Sequence, residues 1–226
     1  MSADCSFDYH IASLYKRCSS LAGWILRTFC TRNSHTMLTL YKSLVLSRLD
    51  NGSQLWSPFL QKDIDVIERI QRSFTKHISG MHEMPYKDRL SKLKMYSLQR
   101  RRERYIIIYI WKIVESSVPN LTIPIETTVS DRRGRFCNES HVVDGRIGTL
   151  AYNSFRWKAI RLFNCLPIEL RNLSACSILT FKKKLDLHLS NICDDPSNPN
   201  YNNSLDKKYH WSTHEKLYKY KTVDLW

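Results

Sequence analysis

Catalysis needs a constellation of groups, and this sequence supplies few of them. No H-E-x-x-H, C-x-x-C, Walker or G-x-S-x-G pattern occurs, so metalloprotease, dithiol, P-loop and serine-hydrolase chemistry have no motif to rest on. His77 and His82 flank a predicted helix end. His210 and His214 sit four apart near the C-terminus without a third ligand, and read as solvated rather than metal-binding. Asp194-Asp195 has the form of the paired carboxylates that hold two divalent metals in polymerases. Such a pair must project from a tight hairpin with apolar strands on both sides. Here Ile192-Cys193 precede it and Pro196-Ser197-Asn198-Pro199 follow, which predicts a solvated linker. No cofactor, metal or catalytic residue is expected of this chain.

The strongest chemical signal is cationic. Lys87, Arg89, Lys92, Lys94, Arg100, Arg101, Arg102 and Arg104 face only Asp88 and Glu103, so residues 87 to 104 carry +6 of the total charge of +14. Guanidinium forks fit phosphate oxygens bidentately. Arg100 to Arg104 spread over more than half a helical turn, so at least two should face solvent or a ligand. Lys182, Lys183 and Lys184 form a second cluster. All eleven are candidate nucleic-acid-binding residues. Tyr86, Tyr96, Tyr105, Tyr109 and Trp111 interleave with the first cluster as possible stacking planes, although their spacing on an apolar helix favours core packing.

The elements that position these residues are mostly helical. Apolar residues three and four apart predict a helix from Phe7 to about Thr31, with Ser6 as cap and Gly23 marking close packing. A second is expected from Ser34 to about Leu49, and a third from Lys62 to Ser79 that ends at a left-handed Gly80. The fourth, from Tyr86 to Glu115, should break near Met95-Tyr96-Ser97, with Ser97 capping its second half. Beyond Pro119 the 3.6-residue period disappears. Short strands or an ordered loop are expected over Leu121 to Tyr152, with a basic turn at Arg132-Arg133-Gly134-Arg135, then loose alternation over residues 154–160, a short helix opened by Leu166-Pro167, and a last helix from Ile178 to about Leu189. The expected fold is therefore mainly α: a helical, thumb-like bundle over residues 1–118, a smaller mixed α/β region over 119–193, and a flexible tail over 194–226.

Composition narrows the function classes. With 226 residues, 42% of them hydrophobic, the chain can bury a core, and its +14 charge makes a polyanion the first candidate partner. No apolar run approaches the ~18 residues that span a bilayer, and the acidic N-terminus does not resemble a secretory signal. Seven cysteines, an odd number, read as reduced thiols rather than a disulfide framework. An intracellular protein is expected, nucleus or cytoplasm being left open.

Several phrases, in order, resemble one family. Tyr41 to Pro58 (YKSLVLSRLDNGSQLWSP) and Asp65 to Ile78 (DVIERIQRSFTKHI) look like the segment that follows the polymerase core in jockey-like non-LTR retrotransposon reverse transcriptases. Tyr86-Lys-Asp-Arg-Leu90 and Leu98-Gln-Arg-Arg-Arg-Glu-Arg104 resemble that family's Y-x-x-R-L … L-x-x-R-R stretch. Phe155 to Pro167 (FRWKAIRLFNCLP) resembles its F-x-x-R-x-x-x-x-W-N-x-L-P stretch, with Phe163 where Trp is usual. Phe181 to Leu185 falls where the family ends. The resemblance covers roughly residues 5–206.

It implies the thumb and post-thumb region of an RNA-directed DNA polymerase, without the metal-binding palm aspartates, and hence without catalysis of its own. The implied partners are RNA or an RNA–DNA hybrid, together with the palm and fingers of the parent polymerase, and no membrane. A helical protein–protein interaction module, or a decayed remnant of a transposable element, is the alternative.

Overall fold

The computed structural model describes residues 7–118, 125–131, 134–137, 154–192 and 194. It is mainly helical, with one two-stranded sheet among the described residues. No described helix is long and apolar enough to cross a membrane. No disulfide joins the five described cysteines, Cys18, Cys30, Cys137, Cys165 and Cys176. The chain divides into two compact units. Their boundary falls between Arg102 and Glu103, and Asp194 belongs with the first.

In the first unit, α1 (Asp8–Thr28) buries Ile11, Leu14, Cys18, Ala22 and Ile25, the inward residues of a 3.6-residue repeat. Asp8 in its first turn and Arg27 in its last complement the helix dipole. Its C-terminal carbonyls are satisfied by the Arg32 guanidinium, which donates to the Phe29 oxygen and, at 2.7 Å, to the Leu26 oxygen. Gly23 does not mark close packing between elements. A Cβ there would meet only the Arg27 guanidinium of the same helix, at 3.2 Å.

The second predicted helix is a composite. α2 (Ser34–Leu40) is capped by the Asn33 side chain, which accepts from the His35 amide at 2.8 Å. A π-helical stretch (Tyr41–Leu46) follows, then α3 (Ser47–Asp50). The wider π turn accommodates three inward residues, Tyr41, Val45 and Leu46, and Tyr41 stacks on Phe74 with ring centroids 4.7 Å apart. Gly52, at φ 60°, turns the chain into the single turn α4 (Ser53–Trp56). Next, α5 (Gln61–Lys76) packs against α1 and buries Ile64, Ile67, Ile70 and Phe74, each such side chain contributing about 1.5–3 kcal/mol. The helix ends three residues before the predicted Ser79, and Gly80 has the expected left-handed φ of 72°.

The predicted interruption near residue 95 is present. α6 (Tyr86–Leu93) ends on Lys94 in the left-handed conformation, and α7 begins at Leu98 and runs to Val114. Ser97 caps it as expected, its hydroxyl accepting from the Arg100 amide at 3.1 Å.

The second unit begins at Glu103, within α7. β1 (Thr127–Ser130) and β2 (Gly134–Cys137) pair antiparallel, Thr127 opposite Cys137 and Ser130 opposite Gly134. Residues 155–160 correct the reading of loose alternation: they belong to α8 (Phe155–Asn164), which Ser154 precedes in extended conformation. α9 (Ile168–Arg171) follows Pro167, and α10 (Ile178–Ser190) is capped by Ser177. Trp111 stacks on Phe181 with centroids 4.5 Å apart and ring planes 12° apart, both side chains being fully buried.

β2 is fastened to the helices by side chains that imitate a strand. Asn164 accepts from the Cys137 amide at 3.0 Å and donates to its carbonyl at 3.1 Å, while Asn172 accepts from the Arg135 amide at 2.7 Å. Asn172 gets this close because Gly134 has no Cβ. One would lie 2.6 Å from the Asn172 Oδ1 and 2.8 Å from Ile168.

Candidate nucleic-acid interface

The eleven candidate cations separate into three groups. Lys87, Lys92, Lys94, Lys183 and Lys184 are exposed; Lys182, Arg101 and Arg104 are half-buried; Arg89, Arg100 and Arg102 are buried. Lysines therefore form most of the open basic surface, and the arginines expected to face a ligand turn largely inward. Arg101 grips Asp50 with two nitrogens, Nε to Oδ1 at 2.9 Å and Nη2 to Oδ2 at 2.7 Å. In the second unit, the Arg104 Nη2 donates to the Asp186 Oδ2 at 2.8 Å. Arg102 lies over the Trp56 ring, 6.0 Å from its centroid.

The single arginine of α6 is structural too. Arg89 donates to the Arg72 carbonyl at 3.0 Å, and both guanidinium groups approach the Tyr86 ring, at 5.3 and 5.1 Å. Burial pulls the Arg89 pKa below its usual value, and the neighbouring Arg72 adds to the effect.

Beneath this surface lies a polar network that sequence reasoning missed. Glu68 is fully buried; its Oε1 accepts from the Tyr86 hydroxyl at 2.5 Å and from the Leu98 amide at 3.2 Å. Its Oε2 is buried without a hydrogen-bond partner. Gln71 donates to the Tyr86 oxygen at 3.0 Å and to the Tyr96 carbonyl at 2.9 Å, and accepts from the Tyr41 hydroxyl at 3.4 Å. Burial raises the Glu68 pKa above the ordinary carboxylate range, opposed by the Tyr86 hydrogen bond and by Arg102. Burial likewise pushes the Tyr86 and Tyr41 phenols well above their usual value, with the Glu68 charge adding to it. A signal existed in the sequence: Glu68, Gln71 and Thr75 continue the inward line of Ile64 and Ile67, which places polar groups on a core-facing stripe.

The N-terminus of α7 receives two carboxylates, Glu68 on the Leu98 amide and Asp194 on the Ser97 amide at 2.7 Å. This corrects the reading of Asp194 as a solvated linker residue. In a capping box the third helical residue supplies an acceptor for the cap residue's own N–H. Here that position is Arg100, which cannot accept. Asp194 takes over the task, and Arg100 Nε stands 3.8 Å from its Oδ1.

Trp111 follows the core-packing expectation and Tyr86 is half-buried, whereas Tyr109 is 37% exposed and meets Phe155 edge-on. Among the described residues no group of three or more His, Cys, Asp and Glu is gathered to hold a metal ion. The tail histidines, His210 and His214, and the basic pair Arg132 and Arg133 lie outside the described residues. What this arrangement can do is bind charge: α6 and its C-terminal residue present lysines on a scaffold locked from below by Glu68, Tyr86 and Arg89. No family model, curated protein or solved structure matches the chain.

Proposed function

We propose that the chain is a non-catalytic, nucleic-acid-gripping region of an RNA-directed DNA polymerase of the jockey-like non-LTR retrotransposon kind, corresponding to its thumb and post-thumb segments. The ordered phrases from Tyr41 to Leu185 support the family reading. The exposed lysines of α6 and its C-terminal residue (Lys87, Lys92, Lys94) are the observation that carries the binding reading. In this role the lysines meet phosphates as point charges, while the inward arginines hold the helices that present them.

The test is a salt titration of binding to an RNA–DNA hybrid. Log K should fall with log[salt] by about 0.9 for each phosphate neutralised, and the Lys87→Gln, Lys92→Gln, Lys94→Gln triple variant should flatten that slope by about 2 to 3. Affinity indifferent to salt would overturn the proposal. A second reading, a protein-interaction module, draws on Leu179 and Leu187, which stand 65% and 67% exposed on α10. Concentration-dependent oligomers that ignore added nucleic acid would favour it.

A further inference from the structure

The outer face of α1 combines exposed rings with exposed cations. Tyr9, Lys16, Arg17, Trp24 and Arg27 are all exposed, and at 3.6 residues per turn they fall within an arc of about 100°. The buried Ile11, Leu14, Cys18, Ala22 and Ile25 occupy the opposite side. Tyr9 is 87% exposed and Trp24 46%, unusual values for large aromatic side chains. Trp24 meets Phe29 edge-on, with centroids 6.2 Å apart and planes at 87°.

The three cations make no ion pair among the described residues. Among the described residues Arg17 donates to the Ser13 carbonyl of its own helix, and Arg27 lies back over Gly23. The one acid of the helix, Asp8, is off this arc and in the field of Asp63.

We propose that this face of α1 is a docking platform for an unpaired nucleic-acid strand, with Tyr9 and Trp24 stacking bases and Lys16, Arg17 and Arg27 neutralising phosphates between them. The face runs about 27 Å along the helix axis. Its three positive charges complement a polyanion, and sequence-tolerant binding of single strands combines this kind of charge with aromatic planes. A membrane surface suits it less well. The aliphatic side chains of α1 point into the core, and the two rings are about 22 Å apart along the axis, so no continuous apolar strip remains to enter a bilayer. These residues lie on a different helix from the lysines of α6, and both sets would serve the nucleic-acid reading on which this inference rests.

The test measures the full chain against an oligouridylate of about 12 nucleotides, within the site sizes usual for such grooves, a duplex of equal length, and phosphatidylserine vesicles. The Tyr9→Ala, Trp24→Ala double variant should weaken oligouridylate binding tenfold or more, and Trp24→Phe, which keeps a ring, should retain most of it. Duplex binding should stay within twofold. Replacing Lys16, Arg17 and Arg27 by Gln should flatten the single-strand salt slope by about 2.

An unchanged oligouridylate affinity in the double variant, an equal loss on strand and duplex, or a loss confined to vesicles would overturn the platform. If the oligouridylate affinity instead falls only on replacing Lys87, Lys92 and Lys94, the platform fails while the proposed function stands. Absence of binding to both strand and duplex at low salt would overturn both. Trp24 meets Phe29 and Arg27 complements the dipole of α1, so circular dichroism melts of their variants should shift only slightly, with the native helical signal retained before the transition.

Discussion

Replacing Tyr86 by Phe removes one oxygen from the buried network and keeps the ring beneath the Arg72 and Arg89 guanidinium groups. Two interactions change. Glu68 loses its hydrogen bond of 2.5 Å and keeps only the Leu98 amide, and Gln71 loses one of its two acceptors while keeping the Tyr96 carbonyl. A hydrogen bond to a charged group contributes about 1.5–3 kcal/mol, and a neutral one about 0.5–1.5 kcal/mol. The cost therefore depends on whether Glu68 is ionised.

Burial raises the folded-state pKa of Glu68 above its ordinary 4.5. Between that ordinary value and the raised one, the native state holds a proton that the unfolded state has released, so this group's contribution to stability falls as pH rises through the window. Tyr86→Phe removes a stabiliser of the carboxylate, extends the window upward, and should destabilise by about 1.5–3 kcal/mol at a pH above the window, where Glu68 is ionised in the folded protein, but by about half as much at a pH below it, where Glu68 is protonated. Glu68→Gln should abolish the difference between the two pH values. Urea unfolding gives the global figure, and hydrogen exchange at the Leu98 amide, whose acceptor is Glu68, gives the local one. A loss equal at both pH values, or a coupling between the two substitutions under about 0.5 kcal/mol in the double-mutant cycle, would refute the network as described.

Three further outcomes follow from single contacts. Asp194→Ala removes the acceptor for the Ser97 amide and should lower stability by about 1 kcal/mol, read as a shift in the thermal midpoint and faster exchange at Ser97. Phe181→Ala deletes one half of the Trp111 stack and should cost about 3–5 kcal/mol, with a red-shifted, more quenchable tryptophan emission; a change under about 1 kcal/mol would contradict the packing of the second unit. Gly134→Ala places a methyl group 2.6 Å from Asn172 at a φ of 63°, so it should destabilise by more than the roughly 1–2 kcal/mol of the left-handed backbone alone, measured by the same melts.

Helix existence was legible wherever apolar residues repeat on one face, as in α1 and α5, and the Met95–Ser97 interruption announced itself through the cap at Ser97. α8 escaped because its inward residues begin only at Ala159, leaving Phe155 and Trp157 to mimic a period of two. The π stretch escaped for a different reason: Leu38, Tyr41, Val45 and Leu49 fit an ordinary helix equally well. The basic run misled in its geometry. Periodicity places Arg101 and Arg104 on a helix but says nothing of Asp50, 51 positions away, or Asp186, 82 away, which hold them. Long-range acids decide whether an arginine is a ligand group or a strut, and a single sequence does not show which acids arrive. The phrases that carry the family resemblance show the same division. Tyr86, Arg89, Phe163, Asn164 and Leu166 are all engaged in holding the fold, so the likeness rests on architecture more than on an exposed recognition surface.

The seat of Asp194 on Ser97 also sets a timetable. The two residues are 97 positions apart, so the first unit is discontinuous in the chain and its cap is made last. At the usual 5 to 20 residues per second of synthesis, the ribosome needs roughly 5 to 20 s after Ser97 to deliver Asp194. Throughout that interval α7 starts from an uncapped amide beside a buried carboxylate. The nascent first unit therefore lacks this one hydrogen bond until the chain returns to supply it.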